Sequence, residues 1–290
     1  MLEPEVFGVL AVATTLGLVL RGIGPFSVSQ AIVADGFSDR AVREGVTLVW
    51  VFGVVAGVAL VGLASPLAAL FGIEGSEWIL RWWALVLLVQ CAAAVPLAEL
   101  QHDLRFKELS AVQVFATVVG SGVVPVVLAS QGLGLIALYL GYLALAVLEL
   151  VGVSWSVGHL HRPRAVGVGR MARATSIFSL TMGTSTLATT GDNLVVGARL
   201  GGTDLGLYSR TDRLMAVPAI LVGDAVDAAP CPIVRRARDD VALIATGVGA
   251  ANALLALGLV PAAGMAIVTA DGLVPGLLGD RWDDAVPIFQ

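Results

Sequence analysis

A chain of 290 residues that is 57% hydrophobic and only 13% charged, with a mean hydropathy of +0.90, cannot hide its apolar surface in a water-soluble core. Ordinary globular chains carry about 25% charge. The net charge of −5 is spread over loops of both signs, which gives no footprint for nucleic acid, and two cysteines, Cys91 and Cys231, make no disulfide framework.

A membrane-spanning helix needs about 20 mostly apolar residues. Eight windows meet that demand, at 7–32, 46–71, 82–97, 109–130, 134–157, 174–200, 207–229 and 241–266. The uncharged run through 109–148 is too long for one helix, and Ser130-Gln131-Gly132 supplies the turn that divides it. These runs are long and continuous, unlike barrel strands of about ten alternating residues. The fold class is therefore an all-α polytopic membrane protein with about eight transmembrane helices.

Charge in the loops alternates along the chain. Arg40 and Arg43 follow the first window, Arg105 and Lys107 the third, Arg162, Arg164, Arg170 and Arg173 the fifth, and Arg235, Arg236 and Arg238 the seventh. Cytoplasmic loops are the ones enriched in Lys and Arg. The first helix then runs from outside to inside, with Met1 extracytoplasmic and no cleavable leader pattern ahead of it. LLGDRWDDAVPIFQ stops as an apolar run begins. Both ends read as an incomplete set of helices, so the chain is expected to be a piece of a longer protein, or a truncated product.

Two stretches 198 residues apart share a frame. LEPEVFGVLA at 2–11 and LGGTDLGLYS at 200–209 each place an acidic turn, an apolar residue and a glycine before a helix. Internal repeats of this kind build transporters from two similar lobes.

LEPEVFGVLAVA, PLAELQHDLRFKEL and GDNLVVGARLGGTDLGLYSRTDRLMAVP resemble three motifs of the polysaccharide flippases, the Wzx-like exporters of the multidrug/oligosaccharidyl-lipid/polysaccharide superfamily, and in particular its colanic and teichuronic acid exporter branch. LLGDRWDDAVP resembles a later outer turn of the same family. Thr211 departs from the usual alanine, and Arg21 stands where the family is often neutral or acidic. The resemblance implies a MATE-like fold of two pseudo-symmetric lobes, incomplete here. Residues 1–158 would form an N-terminal lobe (family helices 2–6), 159–173 a basic cytoplasmic linker, and 174–290 part of a C-terminal lobe. It further implies a multi-pass plasma-membrane protein that exports a lipid-linked oligosaccharide by alternating access, with no cofactor beyond a coupling proton or sodium ion. The partners implied are the bilayer, the lipid-linked glycan, and polymerase or other assembly proteins, with no nucleic acid. A drug or metabolite antiporter of the same superfamily shares this architecture, and a non-transporting scaffold or fragment remains a third reading.

Ionisable and amide groups inside apolar spans are costly and mark cavities or partners. Arg21, mid-way along the first window, is read as lining a cavity and meeting an anionic group, since its planar fork suits bidentate oxyanions, against pairing with a buried acid or snorkelling to the interface. Asp192 and Asn193 are candidates for a coupling carboxylate or for sugar contacts, against packing or capping at the outer interface. Asn252 completes the candidate cavity set against an interhelical hydrogen bond, and Asp224 against a headgroup-level carboxylate; Gln30, also in the set, is a weaker member with Gln90 and Gln113. Glu149 reads as a carboxylate at headgroup level, and Trp78, Trp82 and Trp83 as an interfacial aromatic belt. HLHR at 159–162 has no further ligands for a metal, and Asp239-Asp240 and Asp283-Asp284 lack any nucleotide cradle. An enzyme is not expected.

Overall fold

The structure, a computed structural model, describes residues 4–159 and 167–213 together with parts of 249–289. Two compact units divide the chain near Gly206. The first unit is a helical bundle in which successive long helices run back and forth. Helix α1 (Pro4–Arg21) continues through a π turn (Gly22–Phe26) into α2 (Ser27–Ala34). There follow α3 (Asp39–Leu70), α4 (Glu77–His102), α5 (Phe106–Thr117), a second π turn (Val118–Val123), α6 (Val124–Ser130), α7 (Gly134–Val157) and α8 (Gly169–Leu200). In the second unit the described helices include Ala270–Leu278 and Val286–Phe289, and residues 207–213 are helical as well. No strand occurs among the described residues.

Five of these elements are long and apolar enough to cross a membrane: Glu5–Ala34, Asp39–Leu70, Glu77–His102, Phe106–Ser130 and Gly134–Val157, with mean hydropathies of 1.9 to 2.5. They coincide with the first five windows read from the sequence, including the division at residues 130–132. The sixth window does form a helix, α8, but one that falls below the others in apolarity. Its residues 175–190 carry nine serines and threonines. Several of these hydroxyls fold back onto their own helix, as Thr181 does by donating to Ile177 O at 3.0 Å and Thr190 by donating to Thr186 O at 2.8 Å. That habit lets a polar sequence stay helical without satisfying the length-and-apolarity rule for a span. The seventh and eighth windows fall largely outside the described residues.

Local chemistry accounts for the ends and interruptions. Ser38 caps α3 by accepting the Ala41 N–H at 3.2 Å, and α7 stops at Gly158, whose φ of 86° belongs to the left-handed region. Pro25 has no N–H to give to the helix, and the chain there widens into the first π turn. The Ser27 hydroxyl donates to the Gly22 carbonyl at 2.6 Å, satisfying a group the ordinary helix ladder would have used. The second π turn lies against α7, where a Cβ on Gly120 would meet the Leu145 backbone at 2.5 Å.

Helix α4 is the axis of this unit, packed on α3, α7, α1 and α2. At the end where α1 begins, Val12, Ile79, Leu80 and Trp83 form one buried core, while Val28, Ile32, Val49, Leu87 and Met171 form another toward the opposite end. The outward face of α3 and α5 carries Val54, Val55, Val58, Val114 and Phe115, all more than half exposed. Such a belt is normal where hydrocarbon is the solvent. Of the three tryptophans expected to form an interfacial belt, only Trp82 faces outward. Trp83 is buried against Tyr142, ring centroids 5.4 Å apart, and Trp78 meets Tyr139 edge-on at 6.3 Å.

Helix α8 lies along α1, the first π turn and α2, and is held at both ends. At the end where α1 begins, Gly8 approaches the Gly202 carbonyl so closely that a Cβ would overlap it, and Gly197 takes Phe71. The two repeated stretches of the sequence thus touch through their glycines. At the opposite end Arg170 Nη1 donates to Asp35 at 2.6 Å, and its Nε lies 3.6 Å from Glu44, which Arg40 also reaches at 2.7 Å. The turns at this end close with Phe37 and Leu104 in left-handed backbone, and Phe37 stacks on His102 at 5.3 Å.

Gly8→Ala is expected to destabilise the unit by about 1–3 kcal/mol through overpacking, whereas Gly62→Ala, with nothing within 4 Å of its added methyl, leaves stability unchanged or slightly raised. Apparent melting temperatures of the purified protein in detergent compare the two. A second expectation concerns pH. The hydrogen bond from Arg170, reinforced by Ser38, holds the Asp35 carboxyl below the usual carboxylate range. A group depressed in the folded state contributes stability above its unfolded value, about 3.9, and loses it as pH falls through the folded value. Asp35→Asn should therefore melt below the wild type at pH 7, with the gap closing below about pH 4.

Candidate functional site

The first unit encloses two charges where its helices are otherwise apolar. Arg21, the last residue of α1 before the π turn, points across to Glu149 on α7. Its Nη2 donates to both carboxylate oxygens, at 3.2 and 3.4 Å. The Glu149 side chain is 6% exposed and that of Arg21 35%. Both helices start from the same end of the bundle, and the two residues lie at the eighteenth position of α1 and the sixteenth of α7. Matching depth is what lets them meet. Glu149 is thus a buried partner of Arg21, not the headgroup-level carboxylate expected from its place in the sequence.

A small pocket opens beside this pair. Arg21, Glu149 and Gln90 supply polar wall, Phe26 from the π turn supplies an aromatic one, and Ala93 and Ala94 of α4 are small enough to leave the space. Ser29 also lines it. That residue is 1% exposed, and its hydroxyl has no hydrogen-bond partner. Gln90 makes no hydrogen bond among the described residues, so the pocket is a cluster of polar groups with unspent capacity. Removing one partner of a buried ion pair leaves the other charge uncompensated.

The remaining candidates lie elsewhere. Gln30 donates to Gln101 at 3.4 Å, bridging α2 and α4. The Asp192 carboxylate accepts the Asn193 backbone N–H at 2.8 Å on an exposed face of α8. Asn193 is half-buried, and its side-chain oxygen has no hydrogen-bond partner. None of these three lines the Arg21 pocket. Asp224 and Asn252 fall outside the described residues. Thr211, the unusual threonine, is buried and donates to Leu207 O at 2.8 Å. His159 lies 3.6 Å from Glu99, and no group of three or more metal-ligating side chains occurs among the described residues.

Three positions were missed or undervalued in the sequence: Glu149, Ser29 and Gln90. Glu149 carried a usable signal. A carboxylate and a guanidinium, each the single charge in the middle of its own span and at equal depth, are natural partners. Ser29 carried none, since a serine in an apolar helix ordinarily bonds to its own backbone.

The bundle and its buried pair describe a multi-pass helical membrane protein. The pattern defining the family of polysaccharide biosynthesis proteins matches residues 1–287, and the chain belongs to that family. Among curated proteins it is similar to the succinoglycan biosynthesis transport protein ExoT of Rhizobium meliloti (strain 1021), 28% identical over 233 residues. That match covers 78% of this chain and 46% of the relative, so the chain spans about half of that protein's length. No solved structure matches the chain.

The pair makes its own test. Glu149→Leu, which strands Arg21, is expected to cost about 2–3 kcal/mol, at the lower edge for a buried pair because Arg21 is one-third exposed. Arg21→Leu should cost a similar amount. The double replacement is expected to be less damaging than the sum of the two. A double-mutant cycle on melting in detergent reads the coupling.

Proposed function

We propose that the chain is the membrane-embedded transport component of a polysaccharide pathway, moving a lipid-linked oligosaccharide from the inner to the outer leaflet of the plasma membrane. The observation that carries this reading is membership of the polysaccharide biosynthesis family over residues 1–287. The five apolar spans and the name of the related succinoglycan transport protein support it. On this reading the lobes inferred from the sequence, 1–158 and 174–290, rock about a cavity open alternately to either side. The basic loops around Arg40, Arg105 and Arg170 face the cytoplasm.

Alternating access needs polar contacts inside an apolar wall, and the Arg21–Glu149 pair is one. Asp192 and Asn193 remain candidates for a coupling ion or for sugar hydroxyls. The chemistry asked of the protein is binding and release, with no bond made or broken.

Disruption of the gene should remove surface polysaccharide and leave lipid-linked oligosaccharide on the cytoplasmic leaflet, where an impermeant sugar oxidant or lectin cannot reach it in intact spheroplasts. Restoring the wild-type gene should return both to normal. Normal surface polymer after disruption would overturn the proposal. So would loss of the lipid-linked intermediate itself, which points to synthesis. A change confined to drug susceptibility would identify a drug antiporter.

A further inference from the structure

The stretch PLAELQHDLRFKEL, residues 96–109, joins α4 to α5 and leaves two large apolar side chains on the outside. Leu104 is 72% exposed and Phe106 53%. Leu104 also lies in left-handed backbone, with a φ of 56°. It ends α4 in the way usual for glycine. Its N–H donates to the Gln101 carbonyl at 3.2 Å, and the Arg105 N–H reaches back to the Leu100 carbonyl at 2.9 Å. A Cβ makes that backbone region unfavourable, whereas glycine adopts it freely. Phe37, the other non-glycine residue with such backbone among those described, offsets the strain by stacking on His102. Leu104 has no comparable cover from the protein, so in water a glycine would serve better there.

The same corner of the bundle holds a third such side chain. Arg105 is clamped by Glu108 at 2.7 and 2.9 Å, and its Nη2 also donates to the Ser156 carbonyl at 2.7 Å, fastening the turn to the end of α7. Next to Ser156 stands Trp155, 86% exposed, the highest value among the described large apolar side chains. Depth follows from length. At about 1.5 Å per residue the 24 residues of α7 span about 36 Å, against a hydrocarbon core of about 30 Å, so a centred helix projects about 3 Å at each end. Trp155 is two residues from the last residue of α7, again about 3 Å, which puts it at the boundary. Asp103, Arg105, Lys107 and Glu108 are interleaved with Leu104 and Phe106, and charge of that density is excluded from hydrocarbon. Apolar side chains unsuited to water and charges unsuited to hydrocarbon are compatible at one level, the headgroup layer.

We infer that the α4–α5 turn and the end of α7 form a lipid-binding seat at the boundary between phospholipid headgroups and acyl chains. Leu104 and Phe106 enter the upper part of the chains, and the amphipathic Trp155 ring lies at the glycerol level. The strained backbone at Leu104 is what turns its side chain out to the lipid. Trp82 faces outward near the start of α4, and this corner marks the opposite boundary, at the end that carries the basic turns. The inference requires that the helices cross a bilayer, and it is independent of whether they move a glycan.

Trp155 reports on the seat directly. The purified full chain and its Trp155→Phe variant are placed in phosphatidylcholine vesicles containing lipids brominated either close to the headgroup or near the chain ends. The difference between the two emission spectra isolates Trp155. That component is expected to be quenched several-fold more by the shallow bromines than by the deep ones, and little by aqueous iodide. Stronger quenching by the deep bromines overturns the seat, because it places the corner inside the hydrocarbon. Strong quenching by iodide overturns it in favour of water, and quenching by none of the three overturns it in favour of cover by protein. A second measurement follows the turn itself. Leu104→Cys and Phe106→Cys, each carrying a nitroxide in a chain with Cys91→Ala and Cys231→Ser, are compared with Asp39→Cys at an exposed turn and Val114→Cys on the outward face of α5. Their collision rate with oxygen relative to a nickel chelate is expected to be several-fold above that at Asp39→Cys and below that at Val114→Cys. Values equal to those at Asp39→Cys overturn the inference. If the chain without native cysteines fails to fold, the Trp155 measurement decides alone.

Discussion

A guanidinium held against a carboxylate inside an apolar bundle sets the terms for the first unit. In hydrocarbon neither charge is tolerable alone, and their mutual contact across 3.2 Å makes both acceptable. The arrangement restricts α1 and α7 to a common depth and orientation. It also requires a break in packing, because side chains of this length need room that leucines would fill. The first π turn and the alanines of α4 provide that room. Charge, helix irregularity and cavity are three faces of one constraint.

The positions of the long apolar helices were legible in the sequence, because hydrocarbon imposes one rule on length and composition. Residues 134–157 form a helix with those same bounds, and the SQG turn divides the preceding run as read. Partners were not legible. Arg21 and Glu149 stand 128 residues apart, and which buried charges meet depends on how five helices are arranged around α4. The same limit explains the tryptophans. Trp82 and Trp83 are neighbours in sequence, so they point to different faces of one helix, and only the packing of α7 decides which is covered. Helix α8 was read as a span by its length, with Asp192 noted within it, and its dense hydroxyls keep its apolarity below that of the five spans.

Helix α8 illustrates how weak and strong contacts divide a task. Its end beside Gly8 fits glycine against carbonyl, with no tolerance for an added atom. Its other end is joined by Arg170 to Asp35 and Glu44, contacts that long flexible side chains can release and remake. The exposed pair with Asp35 contributes modestly and responds to salt, whereas Glu44 is buried.

The π turn at Gly22–Phe26 also gives this span an unequal response to deletions at two kinds of place. A π turn is an α-helix that has taken in one extra residue, so losing one residue there returns the backbone to ordinary α geometry with nearly the same net rotation. Losing one residue from an unbroken α stretch instead turns everything beyond it by about 100°. Arg21 and Ser29, on opposite sides of the turn, keep a shared wall in the first case. The turn is where this span can absorb a change in length without a change in facing.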